Sequence, residues 1–304
     1  MAINKKFFTK AYYERKFYSK FGKFFPDLEY WYQAKKHYFY ATGKELNYCC
    51  TKNINEKLMW LTRYWRHPLK TKCADKFLVR NYLEEKGCKD ILIPLLGVWD
   101  NANEIDFETL PNQFVLKCNH GSGYNIICLD KSTLDIKQTI SKLNQWLSED
   151  FSLLACEIHY QAIPRKIVCE ELISPTAPVE FQFWCLNGEP ESMLVCRKNF
   201  DGTYDAASFS LDWERLYDRK NEPEECDFQK PEYLDQLISI ARMLTKPFPF
   251  VRADFYVVED RIYFAELTFT PAANILSAYN DDFITRLGSK LKLPKKYMPC
   301  KIKS

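Results

Sequence analysis

Lys117 is the lone charge of the apolar stretch Phe114–Cys118, and after Asn119 come His120, Gly121, Ser122 and Gly123. Two glycines leave backbone N–H groups unshielded and reach conformations closed to other residues. A strand, a glycine loop and a second strand can lie over nucleotide phosphates while a nearby lysine pairs with the phosphate oxygens. The GK[ST] ending and following helix of a Walker A loop are both missing. An ordinary hairpin, with Lys117 reaching for solvent, accounts for this segment equally well on its own. His120 alone is more often a loop hydrogen-bonder than a catalytic base.

A second group of residues says more. In Arg252–Asn274, a three-residue turn at Glu259–Arg261 would set Val258 opposite Ile262. Asp254 then faces Glu266, and Arg252 faces Thr268. Opposed positions carry Cβ atoms roughly 5 Å apart, near enough for two carboxylates to hold one or two Mg²⁺ ions. Without a cation or a proton between them such carboxylates repel. Ala253, Phe255, Val257, Tyr263, Ala265 and Leu267 form an apolar opposite face. A surface pair answered by Arg252 is the competing reading, but it has to explain why that pair sits in so apolar a hairpin.

These two hairpins need elements to position them. Asn53–Arg66 and Ala74–Glu85 repeat apolar residues at helical spacing, as do Thr133–Leu147 and Pro231–Leu244. Short apolar runs bounded by turn signals read as strands at Phe114–Cys118, Asn125–Leu129, Lys166–Leu172, Glu180–Leu186, Ser192–Arg197, Val251–Val258 and Arg261–Thr268. The order implies an α+β fold with several hairpins, not the regular βαβ alternation of a Rossmann sheet.

Composition narrows the class. The 304 residues are 46% hydrophobic and 27% charged, ordinary values for a soluble globular chain. A net charge of +3 is too small to argue for a nucleic-acid partner on its own, and no nucleic-acid motif appears. Twelve scattered cysteines without a CxxC pair read as reduced, buried thiols, and four histidines give a zinc site little support. No signal peptide follows Met1–Lys10, and the longest apolar run, Ile91–Trp99, is far short of a membrane span. The expected location is therefore cytoplasmic. Residues 1–25 carry seven Lys/Arg and one Glu among aromatics. They suit either peripheral contact with the inner face of the membrane or a surface helix packed on the body, and basic Lys290–Lys303 could reinforce either.

Ordered strings along the chain resemble the ATP-grasp superfamily, and within it the TupA-like branch of cell-surface polysaccharide biosynthesis. They are NEKLMWL (Asn55–Leu61), ADKFLVRNYLEEKG (Ala74–Gly87), LPNQFVLKCNHGSGYNIICLD (Leu110–Asp130), EIHYQAIPRKIVCEELI (Glu157–Ile173), FQFWCLNGEP (Phe181–Pro190) and RADFYVVEDRIYFAELTFTP (Arg252–Pro271). The resemblance implies an α+β ATP-grasp fold, two subdomains gripping ATP, behind an aromatic-rich helical N-terminal region. Its parts would be residues 1–90, a lid subdomain at 91–172, and a C-terminal subdomain with the Mg²⁺ site at 173–304. Lys117 would contact the α/β-phosphates, with His120, Gly121, Ser122, Gly123 and Tyr124 closing over them. Glu170, Glu171, Leu172 and Ile173 would form the hinge that reads adenine and ribose. Asp254 and Glu266 would hold Mg²⁺, with Thr268 standing where many members carry an Asn ligand.

One departure stands out. Where the branch commonly reads Asp-Tyr-Lys, this chain has Glu180-Phe181-Gln182, one positive charge fewer unless Arg197 or Lys76 supplies it. The implied reaction forms an acyl-phosphate and then an amide. It joins a uronic-acid sugar of a surface or capsular polysaccharide to an amino acid or other amine. Arg80, Arg197 and Arg252 are candidate clamps for carboxylate or phosphate. Glu157, His159 and Tyr160 lie in a lid-side loop, suited to touching the acceptor or to packing. The alternatives are a phosphotransferase or glycosyltransferase on the same polysaccharide, or a weakened ATP-grasp binding module, which Gln182 favours.

Overall fold

The computed structural model describes residues 26–198 and 203–297. The basic segment 1–25 and the last residues of the basic C-terminal stretch lie outside them. The chain begins with helices α1 (Pro26–Thr42), α2 (Ile54–Tyr64), α3 (Pro68–Ala74) and α4 (Val79–Glu85). Strands β1 (Leu95–Trp99), β2 (Phe114–Cys118) and β3 (Asn125–Cys128) follow, then helices α5 (Ile136–Ser148) and α6 (Phe151–Ala155) and strand β4 (Ile167–Glu171). The remainder is β5 (Val179–Leu186), β6 (Glu189–Lys198), β7 (Tyr204–Phe209), α7 (Leu234–Thr245), β8 (Phe250–Val258), β9 (Arg261–Thr268) and α8 (Asp281–Lys290).

The strands form two antiparallel sheets, ordered β1-β4-β2-β3 and β7-β6-β5-β8-β9. Each sheet has its own apolar core. Phe114, Leu116, Cys118, Ile167 and Cys169 pack with Leu143 of α5 behind the smaller sheet. Phe181, Phe183, Ala253 and Phe255 belong with Leu237, Ala241 and Leu244 of α7 to the larger core. Strand alternation therefore turns Glu180, Gln182, Arg252 and Asp254 to the other face of the larger sheet. All eleven described cysteines are free thiols, and eight of them are buried. Among the described residues no helix is long and apolar enough to cross a membrane.

Three local outcomes differ from the sequence reading. The expected helix over Ala74–Glu85 is broken after Ala74. Asp75 takes the N–H groups of Phe77 (2.8 Å) and Leu78 (3.3 Å) on its carboxylate, offering the backbone a turn in place of a helix. Asn119 also donates to Asp75, at 2.9 Å, which ties this turn to the glycine loop. The second difference lies in the β8–β9 hairpin. Its turn has two residues, Glu259 and Asp260, both with positive φ (47° and 60°), so Val258 pairs with Arg261 and Val257 with Ile262. A bulge at Ala265 then adds one residue to β9 and restores Asp254 opposite Glu266 and Arg252 opposite Thr268. The apolar face accordingly uses Ile262, Phe264 and Leu267, in place of Tyr263 and Ala265. Third, β7 carries Ala206, Ala207 and Ser208, too little β-branched content to read as a strand, yet it pairs along β6.

Candidate active site

Between the two sheets lies a cavity of about 370 Å³, lined from one side by Lys76, Arg80, Lys117 and Glu170 and from the other by Glu180 and Glu266. The turn at Asp75 places Lys76 there. Its Nζ donates to the Gly121 carbonyl at 2.5 Å, so the break in the helix also anchors the glycine loop. Lys117 donates to Glu170 at 2.6 Å, and Arg80 donates to the same carboxylate at 3.1 Å and to the Ile93 carbonyl at 2.9 Å. One carboxylate thus answers two cations. An entering polyanion could take up the remaining positive charge, since Lys76 has no carboxylate partner within ion-pair distance among the described residues.

The opposite floor is built by register. Ser208, Leu194, Gln182, Asp254 and Glu266 form one row across the sheet, and Ser192, Trp184, Arg252 and Thr268 form the next. Asp254 is fully buried and accepts three hydrogen bonds from Arg252, from Nε at 2.8 and 3.1 Å and from Nη2 at 2.6 Å. The Thr268 hydroxyl donates to Glu266 at 2.7 Å, orienting a carboxylate whose side chain stays 40% exposed toward the cleft. Burial pushes Asp254 up to about 6, with Arg252 opposing it. Burial also works against ionisation of Glu266, but Lys76, Arg252, Thr268 and Lys117 together carry it below the usual carboxylate range. Burial and then Asp254 raise Glu180 to about 7.

Hard oxygen donors of this kind suit Mg²⁺, which takes one or two carboxylates and completes its shell with water and phosphate oxygens. Glu266 is the more available donor. Asp254 spends part of its hydrogen-bonding capacity on Arg252, which stands beside it as a fixed counter-charge. Among the described residues no three His, Cys, Asp or Glu side chains form a metal-holding group.

The other sequence-derived candidates fall into place unevenly. Ser122, Gly123 and Tyr124 line the cavity. Tyr124 stacks on Trp146 at 5.2 Å and its hydroxyl donates to Glu149 at 2.6 Å. His120 turns away, buried, with Nε2 3.2 Å from the Trp146 carbonyl, and burial lowers its proton affinity. Its imidazole therefore packs against α5 and does not face the cleft. Arg197 lies on the opposite face of β6, its guanidinium 5.8 Å from the Phe228 ring. Alternation sends Lys198 to the cavity in its place. Glu171, Leu172 and Ile173 leave the end of β4 without lining the cavity. Glu180 and Lys198 were missed as site residues, though period-two counting from Gln182 and Cys196 would have put both on the carboxylate face.

Tyr160 lines the cavity, while Glu157, Lys70 and His159 are buried behind it. Thr270 donates its hydroxyl to Glu157. Burial raises Glu157 from 4.5 to about 7, against Thr270 and Lys70, and lowers Lys70 to about 7, against Glu157. A carboxyl whose folded-state affinity for a proton is raised stabilises below its unfolded value, and that contribution is lost as pH rises through the folded value. Between pH 4.5 and 7 the wild type should therefore lose up to roughly 3 kcal/mol relative to Glu157→Gln. Lys70, lowered by burial and supported by Glu157, acts with the opposite sign, and its charge is disfavoured further in Glu157→Gln. Urea melts of both proteins at several pH values measure the difference, and parallel curves would refute the assignment.

A family model described as TupA-like ATPgrasp matches residues 56–292. Solved structures are also similar. A D-alanine–D-alanine ligase from Bacillus anthracis aligns at 16% identity and TM-score 0.45, over 79% of this chain and 69% of its own. The corresponding ligase from Helicobacter pylori gives 16% and 0.40, over 72% and 61%. The ATP-grasp ligase PsnB complexed with minimal precursor, Mg and ADP gives 15% and 0.40, over 78% and 64%. This chain thus spans about two thirds of the length of the structures it resembles. No curated protein matches it.

Proposed function

We propose, from the premise that this chain belongs to the TupA-like ATP-grasp family, that it is an ATP- and Mg²⁺-dependent ligase joining a carboxylate to an amine. The observation that carries this reading is the cleft itself, with Lys76 and Lys117 on one wall and Glu266 on the other, and with Thr268 bonded to Glu266 and Asp254 beneath it. Lys117 would leave Glu170 for the nucleotide phosphates, and Ser122–Tyr124 would cover them. Asp254 and Glu266 would hold Mg²⁺, whose charge would offset that of the phosphates when bound. Arg252, fixed by Asp254, would orient the acid substrate through its free guanidinium edge. With the substrate carboxylate placed there, its oxygen takes the γ-phosphoryl group and ADP leaves. The amine then forms the C–N bond, expelling phosphate and losing a proton. Positioning and fixed charge supply the catalysis in such a site.

The finer reading names the acid as a uronic-acid sugar of a cell-surface or capsular polysaccharide and the amine as an amino acid or related amine. It rests on the family's association with surface polysaccharides. A chain that uses ATP in this way would work in the cytoplasm, with residues 1–25 as its contact with the membrane surface. Gln182 supports a second reading, a binding module with weakened catalysis. It lies directly across from Asp254, where the branch commonly has Lys.

ADP release from Mg-ATP with candidate uronic acids, with and without amino acids, separates the readings. The ligase reading expects release to require both acid and amine, and an amide product by mass spectrometry. A phosphorylated sugar as end product would replace it with a kinase. ATP binding without turnover on any acid and amine pair would favour the binding module.

A further inference from the structure

The two most exposed large rings among the described residues, Phe39 and Tyr40, stand on α1 at 50% and 57%, with Tyr32 two turns earlier at 45%. Residues seven and eight apart share a helix face, and Lys35 and Lys36 fall on that face between them. The helix is held to the body from its other side by Tyr38, buried against Leu46, Met59 and Ile275. A face that packs on its own protein buries its rings. This one leaves three of them in water beside lysines. Over residues 31–52 the exposed charges are Lys35, Lys44 and Lys52, against a single acid, Glu45.

The fold brings the end of the chain to the same place. Tyr297, 40% exposed, pairs with Trp65 in a parallel bridge just beyond α2. Its neighbour Lys296 lies 4.2 Å from the Tyr64 ring centroid, and Tyr64 packs edge-on against Tyr48 at 5.6 Å. The Arg63 guanidinium stands 5.1 Å from each of Trp31, Tyr48 and Tyr64. Lys35 covers Trp31 at 4.8 Å, and Lys36 lies 5.5 Å from Tyr32. A run of rings and cations thus joins Lys296 to α1. Residues 1–25, with seven Lys/Arg, lead into α1, and Lys301 and Lys303 follow Tyr297. Both basic ends of the chain are therefore tethered at one patch.

Half-exposed rings beside lysines suit the surface of an anionic bilayer. Apolar faces enter the headgroup boundary there, while ammonium groups at the ends of long stems meet lipid phosphates. An acidic saccharide would answer the same charge, but small-ligand sites are concave and fixed by placed polar groups. The outward face of α1 is convex, and its Phe39 ring has no polar atom to orient a sugar. We infer that the Tyr32–Phe39–Tyr40 face of α1, with the adjoining Lys296–Tyr297 corner, seats the protein on an anionic lipid surface. It adds a folded surface to the membrane contact given above to residues 1–25, and it is independent of the ligase chemistry.

Co-sedimentation of the full chain with vesicles of phosphatidylcholine, alone or in equal mixture with phosphatidylglycerol, tests this. The wild type should bind the mixed vesicles at least tenfold more tightly than the neutral ones. Phe39→Ala with Tyr40→Ala should weaken that binding at least tenfold, and Lys35→Glu alone should weaken it several-fold. Urea melts matching the wild type report that the variants fold. A third variant, carrying Lys5→Ala, Lys6→Ala and Lys10→Ala, separates this surface from the terminal segment. Weakened binding there, with full binding by both α1 variants, overturns the folded surface and leaves residues 1–25 as the contact. Weakened binding in the α1 variants, with full binding there, upholds the folded surface and removes the terminal contact alone. Equal binding of neutral and mixed vesicles by the wild type, or binding to polygalacturonate with none to vesicles, would also overturn the surface.

Discussion

Glu266→Gln should lower ATP-dependent turnover by more than about 10²-fold while leaving stability within about 1 kcal/mol of wild type. Glu266 presents its carboxylate to the cleft, held by Thr268 and surrounded by Lys76, Arg252 and Lys117. On the proposed reading its work is to hold the metal against the transferring phosphoryl group. The amide keeps the shape and the Thr268 contact but loses the charge. Removing it also relieves repulsion with Asp254, which offsets the lost attraction to Arg252 at 4.0 Å. Turnover is read by coupled ADP release and stability by urea melts. Turnover within threefold of wild type would contradict the assignment of Glu266.

Asp254→Asn should behave differently, losing both turnover and about 3 kcal/mol of stability. Asp254 is the buried counter-ion of Arg252, which it binds through two nitrogens. Burial opposes the Arg252 charge and Asp254 is the largest influence sustaining it. An amide there leaves a buried guanidinium without its principal partner, and breaking such a pair from one side is costly. The two carboxylates are thus not equivalent, although the sequence presents them as a matched pair. Unfolding free energies under identical conditions decide the point. A loss below about 1 kcal/mol in Asp254→Asn would show that Arg252 is answered by other groups.

The contrast between these residues marks where sequence reasoning reached and where it stopped. Alternation along Phe114–Cys118 put Lys117 on the face away from Phe114 and Leu116, and the structure has those two fully buried while Lys117 opens to the cleft. The pairing of Asp254 with Glu266 was also legible, but through two compensating misreadings. The turn is one residue shorter than expected, and the bulge at Ala265 is one residue longer. A bulge leaves no mark in composition, because it is decided by how the strand twists against its neighbours.

What was not legible depends on contacts distant in sequence. The break after Ala74 needs Asn119 to hold Asp75, a pairing across more than forty residues, and without it Lys76 would not reach Gly121. His120 looks like a loop residue beside glycines, yet Trp146 of α5 closes over it. Arg197 and Lys198 are adjacent cations whose difference is one step of strand alternation. Gln182, read from the chain as a missing charge, proves to lie in the same row as both carboxylates.

The central claim is that the cleft between Lys117 and the Asp254–Glu266 floor binds a Mg²⁺-nucleotide. Calorimetric titration with a non-hydrolysable ATP analogue, with Mg²⁺ and with EDTA, tests it most directly in the wild type, Lys117→Ala and Glu266→Gln. One analogue per chain should bind with Mg²⁺, more weakly by at least tenfold with EDTA or in either variant. No binding by the wild type, or equal binding by all three proteins regardless of Mg²⁺, would contradict it.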